Sequence, residues 1–144
     1  MRLLAVAVVA LLAVGIAGAQ AREDGLPPYV TGYADWTKVN KTSIRGGSSA
    51  HQGVKNVYAS KRKVGRRYPT GTIVVKTASP PGKRWLSLVA TMRRLKAGVN
   101  GGWRWEEFTR SSPTARFTKI GFPESGCAAC HAQAKANDYV FTRR

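Results

Sequence analysis

From Val54 onward, apolar and polar positions alternate in short runs divided by turn signals, the period of half-buried β-strands. Val54 to Ser60 is the first run, and Thr72 to Ala78, with the β-favouring Ile73, Val74 and Val75, is the second. Trp85 to Leu95 places Leu86, Leu88, Ala90 and Met92 on one face and Ser87, Thr91 and Arg93 on the other. Trp103 to Thr109 sets Trp103, Trp105 and Glu107 against Arg104, Glu106 and Phe108. Pro69-Thr70-Gly71, Pro80-Pro81-Gly82 and the hairpin signal Asn100-Gly101-Gly102 punctuate these runs, and Ala115 to Ile120 is expected as a short fifth strand.

The period changes at both flanks. Arg22 to Val30, with Pro27-Pro28, reads as an extended lead-in. Tyr33, Trp36 and Val39 then recur at helical spacing, which predicts a short amphipathic helix over 32–39 with Trp36 turned inward. Lys41 to Gln52 is polar, with a loop around Gly46-Gly47-Ser48-Ser49. Near the C-terminus, Pro123 and Ser125 supply helix-start chemistry for an alanine-rich helix running to about Asn137. Helix, strand meander, helix implies an α+β domain: a mainly antiparallel sheet with flanking N-terminal and C-terminal helices.

Met1-Arg2 followed by the apolar run Leu3 to Ala19 has the form of a secretory signal, with small residues suited to cleavage after Ala19 or Ala21. The run is short for a spanning helix, which needs about 20 residues. The expected organisation is therefore a signal peptide over 1–21 and one domain over 22–144, exported to the periplasm or an equivalent compartment. Net charge changes the picture less than its size suggests. The chain carries +17, spread over pairs such as Arg66-Arg67 and Lys83-Arg84 rather than one block. Export argues against nucleic acid, which leaves a solvated basic surface or docking to an acidic redox partner.

Candidate chemistry sits in one stretch, Cys127-Ala128-Ala129-Cys130-His131, the C-x-x-C-H pattern of covalent c-type haem attachment. On a helix, residues i, i+3 and i+4 share a face, so both thiols and the imidazole point the same way. The thiols then reach two vinyl groups on one porphyrin edge, and His131 reaches the iron from the proximal side. A zinc site would need four ligands, whereas the chain has these two cysteines plus His51 and His131. A thioredoxin-like centre would need a βαβ context. A lone exported disulfide stays open, but it gives the adjacent histidine no role.

Several segments in order also resemble the cytochrome P460 and cytochrome c′-β family. They are Trp36-Thr37-Lys38-Val39-Asn40-Lys41, Val57-Tyr58-Ala59, Gly71-Thr72-Ile73-Val74-Val75-Lys76, Gly102-Trp103-Arg104-Trp105, the haem motif, and Asp138-Tyr139-Val140-Phe141-Thr142. The resemblance implies one covalent haem c per chain, held against a mainly antiparallel β domain, with a histidine-ligated, five-coordinate iron. In the P460 branch a strand lysine is joined to the haem edge and hydroxylamine is oxidised. In the c′-β branch that link is absent, an apolar cap covers the distal side, and nitric oxide binding is the role. Lys76 matches the position of the linked lysine. A carboxylate near the haem assists proton transfer in the linked branch, and Glu124, Glu106 and Glu107 are the candidates, with Glu124 taken as the catalytic one.

Besides His131, His51 and Met92 are the ordinary strong axial ligands of the mature chain. His51 reads as a loop residue and Met92 as a packing methionine. With neither on the iron the site is open to small molecules; with Met92 bound, the protein is a six-coordinate electron carrier. The expected partners are accordingly a small nitrogenous molecule or gas and an acidic redox protein, with a homodimer as a further arrangement. Neither nucleic acid nor, after signal cleavage, a membrane is expected.

Overall fold

The computed structural model of the protein describes residues 25–46 and 51–142. The expected signal peptide, residues 47–50 of the polar loop and the terminal Arg143-Arg144 pair lie outside them. Among the described residues no helix is long and apolar enough to cross a membrane.

Six antiparallel strands form one sheet in sequence order: β1 Thr37–Lys38, β2 Val54–Ala59, β3 Ile73–Ser79, β4 Leu88–Arg94, β5 Trp103–Thr109 and β6 Thr118–Lys119. The four long strands are those expected from the alternation, and the short β6 lies inside the fifth run. A helix, Glu124–His131, follows and continues as a 3₁₀ stretch, Ala132–Asn137. The domain is therefore α+β, with the C-terminal helix packed against β5.

The β4–β5 turn shows why Asn-Gly-Gly stands where it does. Asn100, Gly101 and Gly102 have φ of 47°, 73° and 96°, the left-handed region that Asn and Gly enter most readily. A Cβ on Gly102 would lie 2.6 Å from the Leu95 carbonyl oxygen, which already accepts no side-chain bulk beside the Leu95 N–H to Gly102 O bond of 2.7 Å.

The N-terminal amphipathic helix does not form. Pro28–Val30 and Tyr33–Asp35 are separate 3₁₀ turns divided by the left-handed Gly32, and Thr37 already belongs to β1. A spacing of three fits both kinds of helix, but here its members serve different layers. Trp36 and Tyr33 pack on one face of the sheet, while Val39 packs on the other. The chain crosses the sheet edge between them, and an isolated two-turn helix would have had to bear its own nucleation cost.

Both faces of the sheet are consequently covered. On one, Leu26, Val30, Val75, Val89, Phe108 and Phe117 form a cluster closed by the N-terminal turns. On the other, Val57, Ala59, Val74, Met92, Trp103 and Trp105 meet Ala128 and Val140 from the C-terminal segment. Leu86 departs from the expected face. It precedes β4 and packs with the first cluster rather than alongside Met92. Asn40 pins the edge: its side chain accepts the Val57 N–H at 2.7 Å and donates to the Thr42 carbonyl at 2.8 Å.

Candidate haem site

Strand register builds one wall of the site. Val57, Lys76, Ala90 and Glu107 are paired across β2 to β5, so their side chains form a row on the face that meets the C-terminal helix. Two residues along, Ala59, Val74, Met92 and Trp105 form a parallel, apolar row. The helix supplies the opposite wall. Pro123 sits at its N-cap in extended conformation, and Cys127, Cys130 and His131 fall at i, i+3 and i+4 within it. Between the walls lies a cavity of about 680 Å³, lined by both cysteines, His131, Lys76, Met92 and Trp105 among others. That volume falls within the range of roughly 300–1,000 Å³ usual for cofactor pockets.

His131 is oriented by its chain neighbours. Its Nδ1 lies 2.6 Å from the Tyr139 carbonyl oxygen, which fixes the proton on Nδ1 and leaves Nε2 with its lone pair. Burial lowers its pKa, against the Tyr139 bond and with help from the charge of Lys76, so the neutral imidazole is favoured. The rings of Trp105 and Phe141 flank it at 5.8 and 5.1 Å.

The Tyr139 carbonyl is itself held in place. Asp138 and Tyr139 both adopt left-handed φ, 55° and 65°, closing the 3₁₀ stretch. The Asp138 carboxylate accepts the Tyr68 N–H at 2.7 Å and a charge-assisted bond from Arg94 Nη1 at 2.9 Å, and both side chains of that pair are buried. These contacts give the Asp-Tyr-Val-Phe-Thr ending a structural reason.

The candidate carboxylates separate. Glu107 stands in the cavity row, and burial raises its pKa against the opposing charge of Lys76. Glu106 points to the other face, where Tyr29 and Lys119 donate to it. Burial pushes Glu106 up, but those bonds outweigh it and hold the carboxyl below its usual range; burial and the same contact push Tyr29 up to about 12. Glu124 lies in the first turn of the helix, where its Oε1 accepts the Trp105 N–H at 3.1 Å and pairs with Arg104 Nε at 2.9 Å. It ties helix to strand instead of lining the cavity.

His51 is the residue the sequence undervalued. Its Nδ1 lies 2.8 Å from Lys76 Nζ and 3.9 Å from Glu107 Oε2, so a loop histidine completes a row of three ionisable groups. Glu107 was legible from its alternation with Trp103 and Trp105. His51 carried no such signal, because the loop preceding β2 has no period.

The residues fit a large, planar, mainly apolar group. Cys127 and Cys130 are free thiols, and burial raises the pKa of the Cys127 thiol. The Trp105 indole N–H is buried without a hydrogen-bond partner among the described residues, a donor that a polar group in the cavity would satisfy. A search of curated proteins returns no match. The family model described as Cytochrome P460 matches residues 30–142, which covers the sheet, the haem motif and the ending that orients His131. The chain belongs to the cytochrome P460 family, and haem c is the cofactor that membership implies.

Proposed function

We propose that the protein is exported and carries one haem c, joined to Cys127 and Cys130 through thioether bonds and ligated by His131 Nε2, and that it oxidises hydroxylamine or a similar small nitrogen species. The haem would supply an iron centre able to take electrons from a bound small molecule. The observation that carries the reading is the row of Lys76, His51 and Glu107 lining the same cavity as His131 and the two cysteines.

Removing two electrons from hydroxylamine also releases two protons. Glu107, whose burial brings its pKa towards the working range, is the group suited to accept one. His51, whose Nδ1 lies 3.9 Å from Glu107 Oε2, stands in line to relay it. Lys76, whose amine is hydrogen-bonded to His51, stands at the position that the resemblance gives to the linked lysine. Trp105, Val74 and Met92 exclude water from the rest of the wall.

The test combines turnover with intact mass. Glu107→Gln is expected to lower the rate of hydroxylamine oxidation by about 10²- to 10⁴-fold while leaving haem content unchanged. Intact mass is the companion reading: a hydrogen loss relative to chain plus haem, abolished by Lys76→Arg, goes with a Lys76 link and hydroxylamine oxidation, whereas full mass goes with gas binding. Wild-type protein that binds nitric oxide but leaves hydroxylamine intact would instead support gas binding, the reading that the apolar row of Val74, Met92 and Trp105 favours.

His131→Ala separates ligation from attachment. The variant is expected to keep thioether-bound haem on a denaturing gel and to lose the iron–imidazole stretch in resonance Raman. An unchanged stretch would assign the ligand to another residue.

A further inference from the structure

At the segment whose Tyr139 carbonyl orients His131, the fold assembles a second concavity that shares no lining residue with the first. The loop between β2 and β3 carries Lys61, Arg62, Lys63, Arg66 and Arg67. It is folded back by reciprocal bonds between Val64 and Arg67, and it is tied to the end of the 3₁₀ stretch by Lys63, whose Nζ donates to the Asn137 carbonyl at 3.2 Å. The scattered cations of the sequence are thereby gathered with Lys135. Arg66, Arg67, Arg94 and Lys135 line a cleft of about 330 Å³ whose floor includes Asp138 and Tyr139. Asp138 is the one acid among the lining residues described, and Arg94 and the Tyr68 N–H already occupy its carboxylate.

We infer that this cleft is the docking surface for an acidic one-electron carrier protein. Three observations converge. Arg66, Arg67 and Lys135 are exposed, so the cleft meets solvent as a concentrated positive field, which attracts and orients an acidic partner. Val64 at the loop tip is 74 % exposed, an apolar knob amid the charges, the pairing of features that protein interfaces use and a free anion does not need. Tyr139 lines the cleft and accepts the His131 Nδ1–H through its carbonyl, so a single residue joins the docking surface to the proximal ligand.

The assignment rests on the haem reading of His131 and extends it to the route by which electrons leave. Each productive encounter moves one electron: this protein is oxidised by one equivalent, the carrier is reduced by one, and no atom is transferred. The cavity side is left to the small substrate, so substrate entry and electron exit do not compete for space.

The experiment uses the haem-loaded mature protein and, as probe, a small acidic monohaem cytochrome, with the same cytochrome amidated on its carboxylates as the neutral comparison. Affinity is read by calorimetry at low ionic strength, and reduction of the probe by stopped flow. Arg66→Glu with Arg67→Glu is expected to weaken binding by at least about tenfold and to slow probe reduction in step. Lys83→Glu with Arg84→Glu changes net charge equally but sits at the β3–β4 turn, at the other end of the sheet, and is expected to change affinity by less than about threefold. Amidation of the probe should abolish the difference.

Equal weakening by both double variants would overturn the proposal, since net charge alone would then explain binding. So would tighter, Arg66- and Arg67-dependent binding to phosphatidylserine vesicles than to the probe. Haem staining of the same preparations separates this proposal from the one beneath it. A chain without covalent haem that still binds through Arg66 and Arg67 retires the haem reading and leaves the docking surface standing. A haem-loaded chain that binds equally well after Arg66 and Arg67 are reversed overturns the docking surface alone.

Discussion

Replacing both Cys127 and Cys130 by alanine is expected to abolish covalent haem attachment completely. The two thiols stand one helical turn apart on the wall of a single cavity, with His131 beside them, so no other cysteine of the chain stands in for them. Stability should fall as well. The cavity of about 680 Å³ lies between apolar side chains of the sheet and the helix, and a bound haem is the filling that lets these walls keep their contacts without water. Haem stain on a denaturing gel is the measurement, with thermal unfolding as the companion. A double variant that still stains would require a different mode of attachment.

Asp138→Ala has the largest expected effect on stability of any substitution away from the cysteines. It removes one half of a buried ion pair and leaves Arg94 charged and unpaired, which costs about 3–5 kcal/mol in comparable sites. It also strips the Tyr68 N–H of its acceptor and puts alanine where φ is 55°, a region asparagine and aspartate tolerate better. Asp138→Asn keeps an acceptor and the backbone preference but not the charge, and should lose visibly less. Denaturant unfolding of the two variants decides the matter. A loss below about 1 kcal/mol for Asp138→Ala would mean that the Arg94 pair adds little to the fold. Because Asp138 precedes the residue whose carbonyl orients His131, the same substitution should also shift the imidazole.

Much of this is legible in the sequence. Alternation in β2 to β5 was clear because each strand presents a consistent face for several residues, and the haem motif was clear because its chemistry needs residues at fixed helical spacing. Three things were not. The N-terminal turns imitated a helix because Tyr33, Trp36 and Val39 share a spacing of three while packing on different sides of the sheet. His51 reaches the cavity from an aperiodic loop, and a partnership with Lys76, 25 residues away, leaves no local trace. Among the three candidate carboxylates, the sequence does not say which one faces the cavity, and Glu124 is the one taken as catalytic. Strand register, which sequence does not display, put Glu107 in line with Lys76 and turned Glu124 to the Trp105 backbone.

The strict sequence order of the sheet has a consequence for how the protein matures. Each strand pairs only with its neighbours along the chain, so every strand pairing closes a local loop, and no early strand waits for a late one. Such low-contact-order pairing forms quickly. The entire strand wall of the cavity, from Val57 to Glu107, lies ahead of the haem motif and is complete without it. A chain emerging N-terminus first is therefore expected to raise its sheet while residues 123–142 are still undocked, with both thiols accessible. Cofactor attachment then becomes the event that draws the last segment onto a preformed wall, and it would turn an open meander into a closed domain.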